Sequence, residues 1–192
     1  MNLSHNNLAA WSLMANNMSS LKEIYVHSNY LQELPAGFED IFRGKLRVLN
    51  VSCNRLSSLL PAELVLGVEN WPLEELYCSN NKLNEQVFGF LMQAKNLKCL
   101  HLAYNCLNVL EERVLKCWPL LEELVLSGNM LQYLPPNLGS MCRLRVLRVH
   151  SNLLLSLPAL SRMSELRVLD LAHNHLDFVN LTSIMPKYLK YL

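Results

Sequence analysis

The sequence predicts an α/β solenoid, in which one short structural unit is stacked repeatedly along the chain. An asparagine recurs every 22–27 residues, leucines surround each asparagine at fixed spacing, and 51% of the residues are hydrophobic. A period of this length indicates repeats that bury a shared core against their neighbours. The recurring asparagines are Asn6, Asn29, Asn54, Asn81, Asn105, Asn129, Asn152 and Asn174.

Each asparagine belongs to one template, Leu-x-x-Leu-x-Leu-x-x-Asn-x-Leu, which is the leucine-rich-repeat signature. A partial first copy contains Leu3, Asn6 and Leu8. We therefore expect a leucine-rich-repeat solenoid: a curved horseshoe arc with a parallel β-sheet on its concave face, and short helices and extended or 3-10 returns on its convex face. The complete copies run from Leu21 to Leu31, Leu46 to Leu56, Leu73 to Leu83, Leu97 to Leu107, Leu121 to Leu131, Leu144 to Leu154 and Leu166 to Leu176.

The central Leu-x-Leu pair of the template alternates with period two, which predicts a short strand with one buried face. Cys78 takes one of the inward positions, where a small thiol behaves as a hydrophobic residue. The asparagine follows where the backbone turns inward. Its amide can donate and accept hydrogen bonds, so stacked copies are expected to satisfy buried peptide groups of neighbouring repeats.

The segments between strands return along the convex side. Leu-Pro pairs at 34–35, 134–135 and 157–158 favour extended returns with little room for an α-helix. Apolar spacing over Val87, Phe88, Leu91 and Met92 predicts a short helix, and residues 106–118 are a second candidate. Trp71 and Trp118 both precede Pro-Leu and are expected to pack in the outer layer of the core.

We expect residues 1–192 to form a single leucine-rich-repeat domain of about eight repeats. The chain opens inside a repeat, and residues 189–192 are the first four positions of another. Solenoids need polar capping units, and none is visible at either end. This pattern predicts an uncapped fragment of a longer protein.

Charged residues make up 17% of the chain and the net charge is +1, so composition favours neither nucleic-acid binding nor direct membrane insertion. The six cysteines are scattered and include no Cys-x-x-Cys, which favours reduced thiols and a cytoplasmic location. Glycosylation sequons at Asn2, Asn17, Asn50 and Asn180 keep an alternative open. That alternative is an extracellular leucine-rich-repeat receptor or matrix ectodomain.

The residues suggest no enzyme site. Only three aspartates occur, the six glycines form no phosphate-binding loop, and Ser, His and Asp lie outside any nucleophile-elbow motif. His173 and His175 flank a template asparagine but are not expected to bind zinc. We therefore expect no catalytic residue, no metal site and no cofactor in this chain.

The concave face is the expected site of function, because alternate template positions point away from the core there. Exposed aromatic residues on a rigid scaffold suit protein interfaces. Tyr77, His101 and Tyr104 are expected to lie close together, with Glu123 and Val125 beside them, and Arg148 is expected to pair with Asp170. Small residues in the seventh template position leave room for a partner. The candidate partner-binding residues are Tyr25, Tyr77, His101, Tyr104, Glu123, Val125, Arg148 and His150. Cross-strand packing of a sheet surface is the simpler explanation for any one of them.

Residues from 73 onward resemble one family, the PH-domain leucine-rich-repeat protein phosphatases. The order of the irregular repeat lengths agrees with that family, including the insertion at 85–93 and the segment at 185–192. The segments that carry the resemblance are Leu73-Glu-Glu-Leu-Tyr-Cys-Ser-Asn-Asn81, His101-Leu-Ala-Tyr-Asn105, Leu126-Ser-Gly-Asn129, His150-Ser-Asn152 and Asp170-Leu-Ala-His-Asn174.

The resemblance implies a parent protein with a PH domain before the repeats and a metal-dependent Ser/Thr phosphatase domain after them. It implies that such a parent dephosphorylates AGC-family kinases such as Akt and protein kinase C. The repeats would then serve substrate recognition or scaffolding, as a protein-protein interaction module that binds its partner on the concave face.

Overall fold

Each complete template forms a three-residue strand, and the strands join into one seven-stranded parallel sheet in sequence order. The computed structural model describes residues 1–12, 18–60, 71–179, 186 and 188–191. The predicted α/β leucine-rich-repeat solenoid is confirmed. The strands are β1 Glu23–Tyr25, β2 Val48–Asn50, β3 Glu75–Tyr77, β4 Cys99–His101, β5 Glu123–Val125, β6 Val146–Arg148 and β7 Val168–Asp170.

The strands pair in the register that the template predicts, because third, fourth and fifth positions face their equivalents on the next strand. Single parallel bridges continue the same register at both ends, from Asn2 to Tyr25 and from Val168 to Tyr191. Tyr191 is the third residue of the template that begins at Leu189. Residues at one template position therefore form a column across the sheet.

The hydrophobic core lies between this sheet and the convex returns. The fourth and sixth template positions of the central repeats are fully buried, and Cys78 is buried among them as predicted. Trp71 and Trp118 are also buried, which confirms their place in the outer layer of the core. The ring of Trp71 packs against the ring of Phe90, with centroids 4.5 Å apart. One continuous core therefore links every described repeat.

The asparagines form the expected ladder between repeats. Asn105 Nδ2 donates to the carbonyl oxygens of Leu102 and Ala103 in its own repeat and of Cys78 in the preceding one. Its Oδ1 accepts the Leu83 N–H at 3.0 Å. The same pattern of donated and accepted bonds recurs at Asn29, Asn54, Asn81, Asn129, Asn152 and Asn174.

The residue before each template asparagine has a left-handed backbone. This eighth template position has φ between 53° and 65° in every described repeat, although only Gly128 is a glycine. At Tyr104 the N–H donates to the Ser127 carbonyl of the next repeat at 2.7 Å. The other residues in this column are His5, Ser28, Cys53, Asn80, Ser151 and His173. The conformation is therefore set by stacking of the repeats rather than by the residue type.

The convex returns of the described residues contain three short α-helices and two 3-10 helices. Two α-helices, α2 Val87–Leu91 and α3 Glu112–Leu115, confirm the helices predicted there. The 3-10 helices are Met18–Ser20 and Pro136–Ser140, and residues 153–160 contain no helix.

Helix α1, Phe38–Arg43, corrects the prediction that the return after Pro35 has little room for an α-helix. The proline precedes the helix rather than entering it, and its carbonyl accepts the Phe38 N–H at 3.2 Å. Phe38, Ile41 and Phe42 are buried at helical spacing. Their burial against the core therefore outweighs the extended preference of the proline.

The six cysteines are free thiols. Among the described residues, no helix is both long enough and apolar enough to cross a membrane. Two of the four sequons, at Asn17 and Asn180, lie outside the described residues.

Candidate functional site

The candidate residues lie on the concave surface of the sheet and are held there by strand register. Third and fifth template positions of one strand project to the same side, and their columns run side by side across the sheet. Tyr25, Tyr77, His101, Glu123 and His150 are half-buried, whereas Tyr104 and Arg148 are exposed. Most of the predicted site residues can therefore contact another molecule without any change in the fold.

The central feature of this surface is a cluster formed by Tyr77, His101 and Glu123. The rings of Tyr77 and His101 meet edge to face, with centroids 4.9 Å apart. His101 Nε2 lies 2.9 Å from Glu123 Oε1. The Tyr77 hydroxyl donates to Glu75 Oε2 at 2.8 Å, and burial together with this bond raises the pKa of Tyr77. The predicted proximity of Tyr77 and His101, with Glu123 beside them, is confirmed, whereas the ring of Tyr104 packs against His150.

Cys99 lies at the centre of the cluster, and sequence reasoning did not single it out. It occupies the third position of β4, in register with Glu75 on one side and Glu123 on the other. Burial raises the pKa of its thiol to about 11; a hydrogen bond with Tyr77 opposes this, and the two carboxylates add to it. The thiol is therefore protonated at neutral pH. The sequence signal that could have identified Cys99 is its position two residues before His101, combined with the predicted register that places Glu123 beside it.

Tyr104 belongs to a second group, next to the first along the sheet. Its ring lies over Gly128, where an added Cβ would come within 2.3 Å of Tyr104 Cδ1. The rings of Tyr104 and His150 also meet edge to face, with centroids 6.4 Å apart. Half of the Tyr104 side chain remains exposed, at 50%. The structure thus divides the predicted aromatic surface into two adjoining groups.

Val125 contributes little to the accessible surface, and the expectation that it is exposed for contact is wrong. Only 9% of the residue is exposed, because it lies between His101 and Arg148, whose longer side chains flank it. The seventh position behaves similarly at Ala103 and Ser127, which are buried. The small residues of that column therefore leave less room in the middle of the sheet than the sequence suggests.

The two ends of the concave surface carry simpler contacts. Arg148 Nη1 lies 3.8 Å from Asp170 Oδ2, which confirms the predicted pair. The Tyr25 hydroxyl donates to Glu23 Oε2 at 3.3 Å, which repeats the arrangement of Tyr77 with Glu75. Burial and the Glu23 carboxylate raise the pKa of Tyr25. Arg148 and Tyr25 therefore each already have a partner within the chain.

Charged side chains at the second template position form ion pairs along one margin of the sheet. Glu74 contacts Lys98 at 2.7 Å and Arg47 at 3.4 Å, and Glu122 contacts Arg145 at 2.6 Å. Bonding to Lys98 lowers the pKa of Glu74. The uneven distribution of charge along the sequence is therefore partly neutralised by pairing between neighbouring repeats.

The chemistry of this surface suits recognition and ligand binding. Among the described residues, one group could hold a metal ion: Cys99, His101 and Glu123, whose ligand atoms all lie within 4.8 Å of one another. Cys99 and His101 come from one repeat and Glu123 from the next, so the group is visible only when the strand register is taken into account. The expectation that the chain contains no catalytic residue and no cofactor stays a prediction.

Two family models match the chain, both describing the leucine-rich repeat, over residues 72–131 and 45–65. A solved leucine-rich-repeat protein of Leptospira interrogans has a similar structure, with a TM-score of 0.68 and 27% identity, covering 91% of this chain and 48% of that protein. Together with the parallel sheet and the asparagine ladder, these matches define the class. The chain is a leucine-rich-repeat protein.

Within that class, the chain is similar to the PHLPP phosphatases, which confirms the predicted resemblance. It is 43% identical over 163 residues to a protein phosphatase PHLPP-like protein of Drosophila melanogaster, covering 84% of this chain. It is 36% identical over 147 residues to human PH domain leucine-rich repeat-containing protein phosphatase 1, covering 77% of this chain. The chain spans 17% of the fly protein and 8% of the human protein.

Proposed function

We propose that this chain is the partner-recognition part of a Ser/Thr protein phosphatase and that it binds a protein on its concave face. The similarity to PHLPP phosphatases supports the phosphatase context. The leucine-rich repeats support the general role, since solenoids of this kind offer extended concave binding surfaces. In this proposal the repeats recognise the partner and contribute no catalytic group.

The cluster of Tyr77, His101 and Glu123 is the observation that carries the proposal. Its side chains are fixed by mutual contacts on a sheet whose backbone is hydrogen-bonded on both sides. A preorganised aromatic residue loses little conformational entropy on binding, and such residues dominate the energy of protein interfaces. Tyr104 and His150 extend the same surface toward β6.

We further propose that the partners are AGC-family kinases such as Akt and protein kinase C and that the protein acts in the cytoplasm to restrain their signalling. The similarity to PHLPP phosphatases supports this partner class. The six free thiols are compatible with a reducing compartment.

Direct binding measurements with purified kinases test the proposal. The wild-type chain is immobilised, and binding of purified Akt and protein kinase C is compared with binding of an unrelated kinase. We expect Tyr77→Ala and His101→Ala each to weaken AGC-kinase binding roughly tenfold or more, as for central interface residues.

Tyr133→Ala is the matched control, because Tyr133 is an exposed tyrosine that lies outside the sheet. Circular dichroism verifies that each variant is folded. Equal affinities of all variants would contradict the concave-face assignment. Equal binding of AGC and unrelated kinases would contradict the partner class.

A further inference from the structure

Three side chains with different metal-ligand chemistry converge on the concave surface. Cys99 and His101 are two residues apart on β4, so they project to the same side of the sheet. Glu123 faces Cys99 directly from β5. A thiol, an imidazole and a carboxylate are the three ligand types that zinc uses in proteins.

The spacing of the ligand atoms suits a single ion. Zinc lies about 2.3 Å from sulfur and about 2.0–2.2 Å from nitrogen or oxygen, so tetrahedral ligands are roughly 3.5 Å apart. Here the three ligand atoms all lie within 4.8 Å, and the His101 and Glu123 atoms are 2.9 Å apart. These separations differ from the tetrahedral spacing by about 1 Å at most, which side-chain rotation can supply while strand register holds the backbone in place.

The surrounding charges favour a cation. Glu75 and Glu123 flank Cys99 in the third column of the sheet. Within the described part of the chain, neither carboxylate forms an ion pair with lysine or arginine, in contrast to Glu74 and Glu122 beside them. A divalent cation between Glu75 and Glu123 would compensate the negative charge of these two carboxylates.

We propose that Cys99, His101 and Glu123 bind one Zn²⁺ ion, with an open fourth position that faces the concave groove. The Cys99 thiol releases its proton to solvent as the Zn–S bond forms. Sites with three protein ligands keep the fourth place for water or for a ligand from another molecule. Mg²⁺ and Ca²⁺ prefer all-oxygen sites, so the thiol selects zinc against them. Zinc binding goes beyond the proposed kinase recognition and does not require it.

Cobalt substitution tests the site on the full 192-residue chain in its reduced form, without any partner present. Co²⁺ is titrated into the protein and then displaced by Zn²⁺. We expect one equivalent of Co²⁺ to produce a thiolate-to-cobalt charge-transfer band and tetrahedral d–d absorption. One equivalent of Zn²⁺ is expected to abolish both signals.

Variants identify the ligands. Cys99→Ser is expected to abolish the charge-transfer band, and His101→Gln and Glu123→Gln are each expected to weaken zinc affinity by at least about tenfold. Cys106→Ser is the matched control, because Cys106 is an exposed thiol outside the cluster. Circular dichroism verifies that each variant keeps its fold.

Three outcomes would overturn the proposal: no tetrahedral cobalt spectrum, a charge-transfer band that survives in Cys99→Ser, or equal losses in Cys99→Ser and Cys106→Ser. The last two would indicate adventitious binding by surface thiols. Because no kinase is present, failure here leaves the concave-face recognition proposal unaffected.

Discussion

At the scale of single residues, the asparagine ladder concentrates stability in one side chain per repeat. Replacing Asn105 by alanine removes the side-chain acceptor of the Leu83 N–H. It also removes one donor from each of the Cys78, Leu102 and Ala103 carbonyl groups, which keep a hydrogen bond from Asn81, Asn129 and Asn80. We expect Asn105→Ala to reduce the free energy of unfolding by about 1–3 kcal/mol, because buried peptide groups lose their hydrogen bonds. Urea denaturation measures this change.

Asn6 provides the matched control, since it is exposed and its side chain bonds, among the described residues, only to Leu3 and Ser4 in its own repeat. Asn6→Ala is expected to have a much smaller effect because water can replace those bonds. If both variants unfold at the same urea concentration as wild type, the ladder does not stabilise the stack.

Gly128 sets the position of the Tyr104 ring. Gly128→Ala places a Cβ where the ring now lies, at φ +65°, and we expect it to destabilise the chain by about 1–3 kcal/mol. A double-mutant cycle with Tyr104→Ala separates the steric conflict from the backbone strain. We expect Gly128→Ala to cost less when Tyr104 is already alanine.

Gly89→Ala is the control for this cycle, because no atom lies within 4 Å of the added Cβ and its φ is not left-handed. It is expected to be neutral or slightly stabilising, since Gly89 lies in α2. Additive effects of Gly128→Ala and Tyr104→Ala would show that the ring and the glycine do not interact.

At the scale of elements, an aromatic group joins the convex returns of three successive repeats. Phe42 from α1, Phe90 from α2 and Trp71 pack with ring centroids 4.5–5.1 Å apart. We expect Phe90→Ala to destabilise the protein by about 3–5 kcal/mol, because the lost ring leaves a cavity that Phe42 and Trp71 cannot move to fill. Calorimetry would show a lower Tm.

Tyr133→Ala again serves for comparison, since its exposed ring lies outside this group. It is expected to leave the Tm nearly unchanged. A similar small effect of Phe90→Ala would mean that the returns are held by other contacts.

At the scale of the whole molecule, each repeat packs mainly against its neighbours in sequence, and pairing runs in order from β1 to β7. Stability in such stacks is a sum of repeat and interface terms. We expect amide hydrogen exchange to be slowest in the repeats of β3–β5 and faster in those of β1 and β7. Peptide-resolved mass spectrometry measures it, and uniform protection would instead indicate all-or-none unfolding.

Much of this architecture could be predicted from the sequence, because a fixed template also fixes register. Once Leu76 and Leu100 are assigned to equivalent positions, the pairing of their neighbours follows. The pair Arg148–Asp170 was predictable for that reason. The spacing of Phe38, Ile41 and Phe42 is typical of a helix and could have predicted α1. The nearby Pro35 instead led to the prediction of an extended return.

Other features depend on side chains from neighbouring repeats, which no single template describes. The burial of Val125 follows from the size of its flanking residues, and the path of Tyr104 follows from the missing side chain at Gly128. Sequence reasoning placed Glu123 beside His101 but did not include Cys99. The meeting of both with Cys99 became apparent only when third and fifth columns were placed in space.

The left-handed eighth position has a consequence for how this scaffold can evolve. Its backbone conformation is the same for histidine, serine, cysteine, asparagine, tyrosine and glycine. The backbone therefore accepts several residue types in this column, with the exception of Gly128, where the Tyr104 ring occupies the space of a side chain. Mutations elsewhere in the column can alter what the arc recognises while leaving the arc intact. Randomising the column apart from Gly128 would give a library of binding surfaces on one unchanged framework.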